Sequence, residues 1–229
     1  NINQLSSKRS FNINGYLFEY EKPLVMGILN MTPDSFYDGG RYNSIDSAIS
    51  RVEGMINNGA SIIDIGGCST RPGSDIITIE EEWKRIGGII KECSIRFKDT
   101  LFSVDTFRSE IAKRSLEEGI HIINDVSGGS LDSEMFDIIS KYNRPYILMH
   151  LKGTPKDMMS KTNYDDLILD LLNYFRKKIH ELNALGINDI ILDPGFGFAK
   201  DFEQNFEILN NLNSFKIFDL PILVGLSRK

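Results

Sequence analysis

Short apolar runs alternate along this chain with longer segments whose apolar residues recur at helical spacing. The runs that predict strands are 24–30, 61–66, 100–105, 121–125, 145–150, 189–193 and 221–227. Because each run is apolar nearly throughout, it is typical of a strand covered on both faces, as in a parallel sheet. Strand and helix in repeated alternation predict right-handed β-α-β units.

Two architectures fit such units, a doubly wound sheet and a closed (β/α)8 barrel. No Gly-x-Gly-x-x-Gly follows the first strand, which weakens the dinucleotide-binding version of the doubly wound sheet. Seven strands favour the α/β barrel known as the TIM barrel. The sequence ends at Lys229, directly after the seventh run, so we expect one domain over 1–229 whose barrel is truncated after the seventh strand.

The segment before the first strand, SFNINGYLFEY, holds an Asn-Gly pair between two strand-like runs. Asn-Gly is the preferred two-residue turn of a tight β-hairpin. We therefore predict a β-hairpin in an N-terminal extension over 1–22, placed where it closes the lower mouth of the barrel.

Composition narrows the class of protein. The chain has 229 residues, of which 41% are hydrophobic and 25% charged, as is ordinary for a globular domain. No apolar run approaches the roughly 18 residues of a membrane span, and the N-terminus lacks a signal-peptide core, so the expected location is cytoplasmic, away from membranes. The formal net charge of -6 argues against a nucleic-acid partner. Cys68 and Cys93 are too few for a disulfide framework.

Polar residues follow every predicted strand, at the end where barrel enzymes build their active sites. They are Asn30, the STRPG segment 69–73, Asp105, Asn124, Asp125, His150, Asp193 and the final residues 227–229. Carboxylates and amides suit a flat heterocycle with several N–H donors, because a carboxylate can accept two parallel hydrogen bonds. Arg71, Lys229 and the glycine-rich turns suit an anion such as phosphate.

Seven of these segments carry a resemblance. In chain order, LNMTPDSFYDGG, GGCSTRPG, SVDT, INDVSGG, MHLKGTP, DPGFGF and GLSRK resemble the motifs of the dihydropteroate synthase family, over Pro23 to Lys229. The resemblance implies a transferase of folate biosynthesis on a (β/α)8 barrel that forms a homodimer. It implies condensation of 6-hydroxymethyl-7,8-dihydropterin diphosphate with p-aminobenzoate, with Mg2+ as cofactor and with dihydropteroate and pyrophosphate as products.

The same resemblance assigns the site residues motif by motif. It implies a pterin pocket formed by Asp105, Asn124, Asp193 and Lys229, a magnesium and diphosphate ligand at Asn30, and diphosphate contacts from Thr70 and Arg71. It implies a p-aminobenzoate subsite lined by Phe36, Thr70, Pro72, Phe198 and Ser227, which sulfonamides would share. The residues expected to carry catalysis are Asn30, Arg71, Asp193 and Lys229.

The family mechanism implies that pyrophosphate leaves first and the aniline nitrogen then attacks the pterin cation. Two alternatives stay open. A pterin-dependent methyltransferase barrel uses a similar Asp and Asn pocket, although it has no diphosphate to expel. A catalytically impaired pterin-binding module is the other, because the family's distal arginine would lie beyond Lys229. Cys68 also departs from the glutamate that many family members carry in this motif.

Overall fold

The computed structural model describes residues 9–31, 41–69, 77–154 and 157–225, and its elements alternate as the sequence predicts. The strands are β1 (Arg9–Ile13), β2 (Tyr16–Tyr20), β3 (Met26–Asn30), β4 (Ile62–Gly66), β5 (Leu101–Asp105), β6 (Ile122–Asp125), β7 (Tyr146–Met149) and β8 (Ile190–Asp193). The helices are α1 (Arg41–Asn57), α2 (Ile79–Arg96), α3 (Ser109–Glu117), α4 (Met135–Tyr142), α5 (Leu167–Ala184) and α6 (Phe202–Asn210), with 3-10 turns at Met158–Ser160 and Leu212–Phe218.

The strands β3 to β8 form one parallel sheet in chain order. The first six predicted strands are therefore confirmed. The seventh run lies beside β8, where Leu192 and Ile222 form a parallel bridge. The Leu192 N–H donates to the Pro221 carbonyl at 2.8 Å, and the Leu223 N–H donates to the Leu192 carbonyl at 2.8 Å. Sequential parallel strands joined by helices are the α/β arrangement of a (β/α)8 barrel, as predicted.

The helices cover the outer face of this sheet with their apolar sides. On α2 the buried residues Ile86, Ile89, Ile90 and Cys93 recur at helical spacing. The helix begins at Thr78, whose hydroxyl accepts the Glu81 N–H at 3.2 Å. A side-chain acceptor at this position satisfies one of the N–H groups that the first turn leaves unpaired. The core therefore lies between the helices and the barrel wall.

The predicted hairpin is also confirmed. β1 and β2 pair antiparallel, with Asn14 and Gly15 between them at φ values of 53° and 86°. Positive φ at both turn positions is what makes Asn-Gly the preferred pair. Phe11 and Ile13 belong to a buried cluster with residues near the starts of the barrel strands, namely Ile62, Leu101, Ile122, Ile147 and Ile191. The hairpin therefore closes the N-terminal mouth and leaves the C-terminal ends of the strands for the site.

Candidate active site

Three of the predicted site residues lie in one row across four neighbouring strands. In the register of the sheet, Asn30 at the end of β3 pairs with Gly66 of β4, and Gly66 pairs with Asp105 of β5. Asp105 pairs in turn with Asn124 of β6. Parallel strands in this register bring their C-terminal ends to the same edge, so residues separated by up to 94 positions in the chain meet at one mouth.

Gly66 sits between two side-chain oxygens. A Cβ at this position would lie 3.2 Å from Asn30 Oδ1 and 3.4 Å from Asp105 Oδ2. Those distances are tight, so a side chain here would push on the oxygens that converge over the strand. Because Gly66 has no side chain, Asn30 Oδ1 and Asp105 Oδ2 can both face the space above it.

Asp105 carries a buried acceptor without a partner. Its Oδ1 has no hydrogen-bond partner among the described residues. Burial, followed by the negative charges of Asp64, Glu82 and Asp125, raises the pKa of Asp105 well above its ordinary value. Leaving a buried acceptor unpaired is costly, and such exceptions to hydrogen-bond pairing occur at binding and catalytic sites. This oxygen favours a ligand that brings a hydrogen-bond donor.

Asp64 is a site residue that the rule of polar residues at strand ends does not identify. It lies in the middle of β4, is 5% exposed, and shares a face of the strand with Gly66. Its Oδ1 accepts a hydrogen bond from the Ser103 hydroxyl, and its Oδ2 accepts one from Asn124 Nδ2 at 3.0 Å. Burial raises the pKa of Asp64, while these two hydrogen bonds oppose the rise.

Asp193, the last residue of β8, supplies another carboxylate. Its Oδ1 accepts the Gly195 N–H at 2.7 Å. Burial raises the pKa of Asp193 to about 6, against the opposing effects of this hydrogen bond and of the positive charge on Lys200. Gly195 has a φ of 74°, and a Cβ there would lie 2.3 Å from the His150 carbonyl oxygen. Glycine is therefore required for the turn that holds the carboxylate.

Lys200 lies beneath this turn, where it is 2% exposed. Its Nζ is 3.1 Å from Nδ1 of His150 and donates to the Phe198 carbonyl at 2.9 Å. Burial lowers the pKa of Lys200 to about 7, with the Asp193 charge acting in the opposite direction. Lys200 contacts both the segment after β7 and the segment after β8, so it stabilises the turn that holds Asp193.

His150 has a structural role at the end of β7. Burial, and then the neighbouring Lys200 charge, lowers the pKa of His150 to about 3, so the imidazole is neutral. Its ring meets the Tyr174 ring edge-on at 4.8 Å between centroids. The Tyr174 hydroxyl donates to the Met149 carbonyl at 2.9 Å, which fixes the end of β7.

A buried ion pair supports the neighbouring loops. Arg108 Nη1 lies 2.6 Å from Oε2 of Glu82, a residue of α2 that is 0% exposed. The Thr106 hydroxyl donates to Oε1 of the same carboxylate at 2.9 Å, and Arg108 Nη2 donates to the Ile77 carbonyl. These bonds tie the residues after β5 to the start of α2.

Five of the predicted site residues lie within the described part of the chain, and six lie outside it. Asn30, Asp105 and Asn124 share the row, Asp193 ends β8, and Phe198 packs against a small apolar cluster formed by Val126, Met149, Leu151, Met158 and Ala199. The predictions for Phe36, Thr70, Arg71, Pro72, Ser227 and Lys229 concern residues outside the described ranges. Among the described residues, no group of three or more His, Cys, Asp or Glu side chains could hold a metal ion.

Comparison with known proteins decides the family. Residues 26–229 match the family described as "Pterin binding enzyme". The chain is 46% identical over 211 residues to the dihydropteroate synthase of Clostridium beijerinckii, covering 91% of this chain and 76% of that protein. This chain belongs to the dihydropteroate synthase family. The family member from Escherichia coli is 42% identical over 217 residues, covering 94% of this chain and 76% of its own length.

Solved structures of the family agree with the fold. The Yersinia pestis dihydropteroate synthase, in complex with a sulfonamide drug, superposes with a TM-score of 0.87 at 39% identity, covering 96% of this chain and 80% of that one. The Xanthomonas albilineans enzyme with 4-aminobenzoic acid gives a TM-score of 0.88 at 32% identity, covering 97% and 80%. The family assignment makes the protein a transferase. Among the described helices, none is long and apolar enough to cross a membrane.

Proposed function

We propose that this protein is a dihydropteroate synthase that condenses 6-hydroxymethyl-7,8-dihydropterin diphosphate with p-aminobenzoate. The observation that carries the proposal is the row formed by Asn30, Asp105 and Asn124, with the unpartnered Asp105 Oδ1 in it. An amino-pterin presents ring and exocyclic N–H donors along one edge. Acceptors fixed on neighbouring strands are complementary to such an edge, and rigid strands hold them with little loss of entropy on binding.

We assign the pterin pocket to Asp105, Asn124, Asp193 and Lys229. Asp193 accepts the N–H edge of the amino-pyrimidine ring, with Oδ2 free of the Gly195 bond that occupies one lone pair of Oδ1. Asp105 and Asn124 accept the other ring N–H groups, and Lys229 donates to the acceptor side of the ring. The carboxylate of Asp193 beside the ring stabilises positive charge that develops on the pterin.

The diphosphate is assigned to Asn30, Thr70 and Arg71, with Mg2+ as cofactor. Mg2+ prefers hard oxygen ligands, keeps several waters and is commonly held by one or two side chains together with substrate phosphates. The Asn30 Oδ1, which faces the space above Gly66, fits that donor set. When bound, Mg2+ supplies charge neutralisation for the departing pyrophosphate.

The proposed reaction begins at the pterin methylene carbon. Its C–O bond to the diphosphate breaks, and the electron pair leaves with pyrophosphate. The lone pair of the p-aminobenzoate nitrogen then forms the new C–N bond, and the nitrogen loses a proton to give dihydropteroate. Asp193 stabilises the cation, Lys229 holds the ring, and Asn30 and Arg71 bind the leaving group. The catalytic set is therefore Asn30, Arg71, Asp193 and Lys229.

The p-aminobenzoate subsite is assigned to Phe36, Thr70, Pro72, Phe198 and Ser227. Phe198 is half-buried on its apolar cluster, so its ring has a firm support. The Xanthomonas albilineans relative was solved with 4-aminobenzoic acid and the Yersinia pestis relative with a sulfonamide drug. We therefore infer that sulfonamides inhibit this protein by competing with p-aminobenzoate.

The test measures pyrophosphate release from the pterin diphosphate with Mg2+, with and without p-aminobenzoate, while dihydropteroate is followed by mass. Coupled formation of both products is the expected result. Asp193→Asn should lose roughly tenfold or more in pterin affinity, as expected for a hydrogen bond to a charged group. Asp170→Asn on α5 is the matched control and should retain full activity. Pterin binding without turnover would instead favour a non-catalytic binding module.

We also propose that the protein is a cytoplasmic homodimer. Phe202 and Phe206, which are 76% and 50% exposed, stack edge-to-face at 4.8 Å on one side of α6. Large apolar side chains exposed together are typical of contact surfaces. Sedimentation of the purified protein should give a dimer, and Phe206→Asp should shift it toward the monomer. A monomer at micromolar concentration would contradict the proposal.

A further inference from the structure

The carboxylate of Asp64 lies inside the barrel, directly below the row of site residues. Asp64 and Gly66 are two positions apart on β4, so they face the same side of the strand. Ile63 and Ile65, which alternate with them, belong to the main core. A charged side chain in such a place is destabilising unless its oxygens are paired. Both oxygens of Asp64 are paired, one with Ser103 and one with Asn124.

The bond to Asn124 has a consequence for the site. A primary amide has a donor end and an acceptor end, and the side chain can turn either toward a neighbour. Asp64 Oδ2 accepts a hydrogen bond from Nδ2 of Asn124 at 3.0 Å, so the donor end of the amide faces Asp64. The Oδ1 end of Asn124 is then directed away from Asp64. Asn124 therefore contributes an acceptor to the row that already contains the unpartnered Asp105 Oδ1.

We propose that Asp64 is a positioning residue for the pterin subsite: its carboxylate holds Asn124 so that the amide oxygen is presented to an N–H group of the bound heterocycle. This inference rests on the proposed function. Asp64 itself makes no contact with the ligand. It acts through Asn124, and it determines which hydrogen-bonding edge the pocket accepts.

Asp64→Asn is the informative change because it preserves shape. The new amide could accept from Asn124 and donate to Ser103, or it could donate to Asn124 Oδ1 and accept from Ser103. The two arrangements have equivalent hydrogen bonds, so Asn124 would no longer be held in one orientation. We expect affinity for 6-hydroxymethyl-7,8-dihydropterin, measured by titration calorimetry, to fall about tenfold. The KM for p-aminobenzoate should change less than twofold.

Ser103→Ala is the matched control. It removes the other hydrogen bond to Asp64 in the same buried layer and leaves the bond to Asn124 in place. Thermal stability should fall in both variants, whereas pterin affinity should fall only in Asp64→Asn. Equal losses of affinity in the two variants would mean that Asp64 acts through stability alone, and the proposal would be overturned.

A double-mutant cycle separates an indirect role from a direct one. In an Asn124→Ala background, Asp64→Asn should have no further effect on pterin affinity. An undiminished effect there would mean that Asp64 acts independently of Asn124, against the proposal. Unchanged affinity in the single variant, with synthase activity present, would overturn this inference alone.

A measurement made without ligand separates failure of this inference from failure of the proposed function. The side-chain amide protons of Asn124 should exchange slowly with solvent in the unmodified protein, and exchange should accelerate in Asp64→Asn while Ser103→Ala leaves it slow. Fast exchange in the unmodified protein would overturn the inference by itself. Slow exchange together with no pterin binding would overturn the proposed function, and the inference that rests on it would fall with it.

Discussion

Lys200 Nζ lies 3.1 Å from Nδ1 of His150, and both side chains are buried beneath the segments that follow β7 and β8. When Lys200 is protonated its ammonium only donates, so Nδ1 of His150 accepts and the ring carries its proton on Nε2. The low pKa of His150, near 3, is consistent with a ring that stays neutral beside this cation. The Lys200–His150 contact therefore links the segments after β7 and β8 through two nitrogen atoms.

Stability should therefore depend on pH through Lys200. The pKa is about 7 in the folded protein and 10.5 when unperturbed. Between these values the unfolded chain binds a proton that the folded protein lacks, so stability rises with pH, by at most about 1.4 kcal/mol per pH unit. Urea unfolding at pH 7, 8 and 9 should show this slope in the unmodified protein and its loss in Lys200→Met. Lys177→Met, at an exposed position of α5, is the control and should keep the slope.

Removing the charge of Glu82 should be strongly destabilising. Glu82→Gln leaves the Arg108 guanidinium, whose side chain is 12% exposed, without its counter-charge. Breaking a buried ion pair from one side costs about 3–5 kcal/mol. Chemical denaturation should report this loss. The control is Glu80→Gln, which removes the exposed Glu80–Arg114 pair and should leave the unfolding midpoint unchanged. A Glu82→Gln midpoint equal to the control would contradict the assignment.

Pterin affinity should weaken at acidic pH. Burial raises the pKa of Asp193 to about 6, so the carboxylate is ionised above that value and gains a proton below it. Protonation removes an acceptor from the edge that binds ligand N–H groups. Titration calorimetry with the pterin between pH 5 and 8 should show affinity falling below about pH 6. In Asp193→Asn the same titrations should show weak binding at every pH; a retained acidic decline would assign it to another group.

Two glycines after β8 provide a matched pair. Gly195 and Gly197 both have positive φ, 74° and 78°, but only a Cβ on Gly195 meets other atoms within 4 Å, the nearest being the His150 carbonyl oxygen at 2.3 Å. Gly197→Ala should cost about 1–2 kcal/mol for the left-handed backbone alone. Gly195→Ala should cost clearly more and also lower pterin affinity, because the turn donates to Asp193. Equal unfolding free energies for the two variants would show that the turn can move aside.

The sequence predicts the parts of the fold that depend on local patterns. The strands from 24–30 to 189–193 appear as apolar runs, and Asn14 with Gly15 predicts the hairpin turn, because each pattern is read within a few residues. The row of Asn30, Asp105 and Asn124 follows from the rule that barrel sites lie at strand ends. Their positions directly after predicted strands were sufficient to identify these three residues as site candidates.

The supporting residues could not be found in the same way. Glu82 reads as an ordinary acidic residue in the first turn of a helix, since its partner Arg108 is 26 positions away and meets it only after folding. Lys200 reads as a surface lysine in a loop, although the fold buries it. Asp64 could have been found from the sequence, because it is the single charged residue in the apolar run SIIDIG. A carboxylate in a buried strand needs hydrogen-bond partners.

The hairpin that closes the N-terminal mouth also sets an order of events during synthesis. The Asn12 N–H donates to Oδ1 of Asp189 at 2.8 Å, across 177 positions of the chain. Translation at about 5–20 residues per second separates the two ends of this contact by roughly 10–35 seconds. For that interval the barrel floor that Phe11 and Ile13 cover is incomplete, so their apolar side chains stay exposed to solvent until the last strands are made.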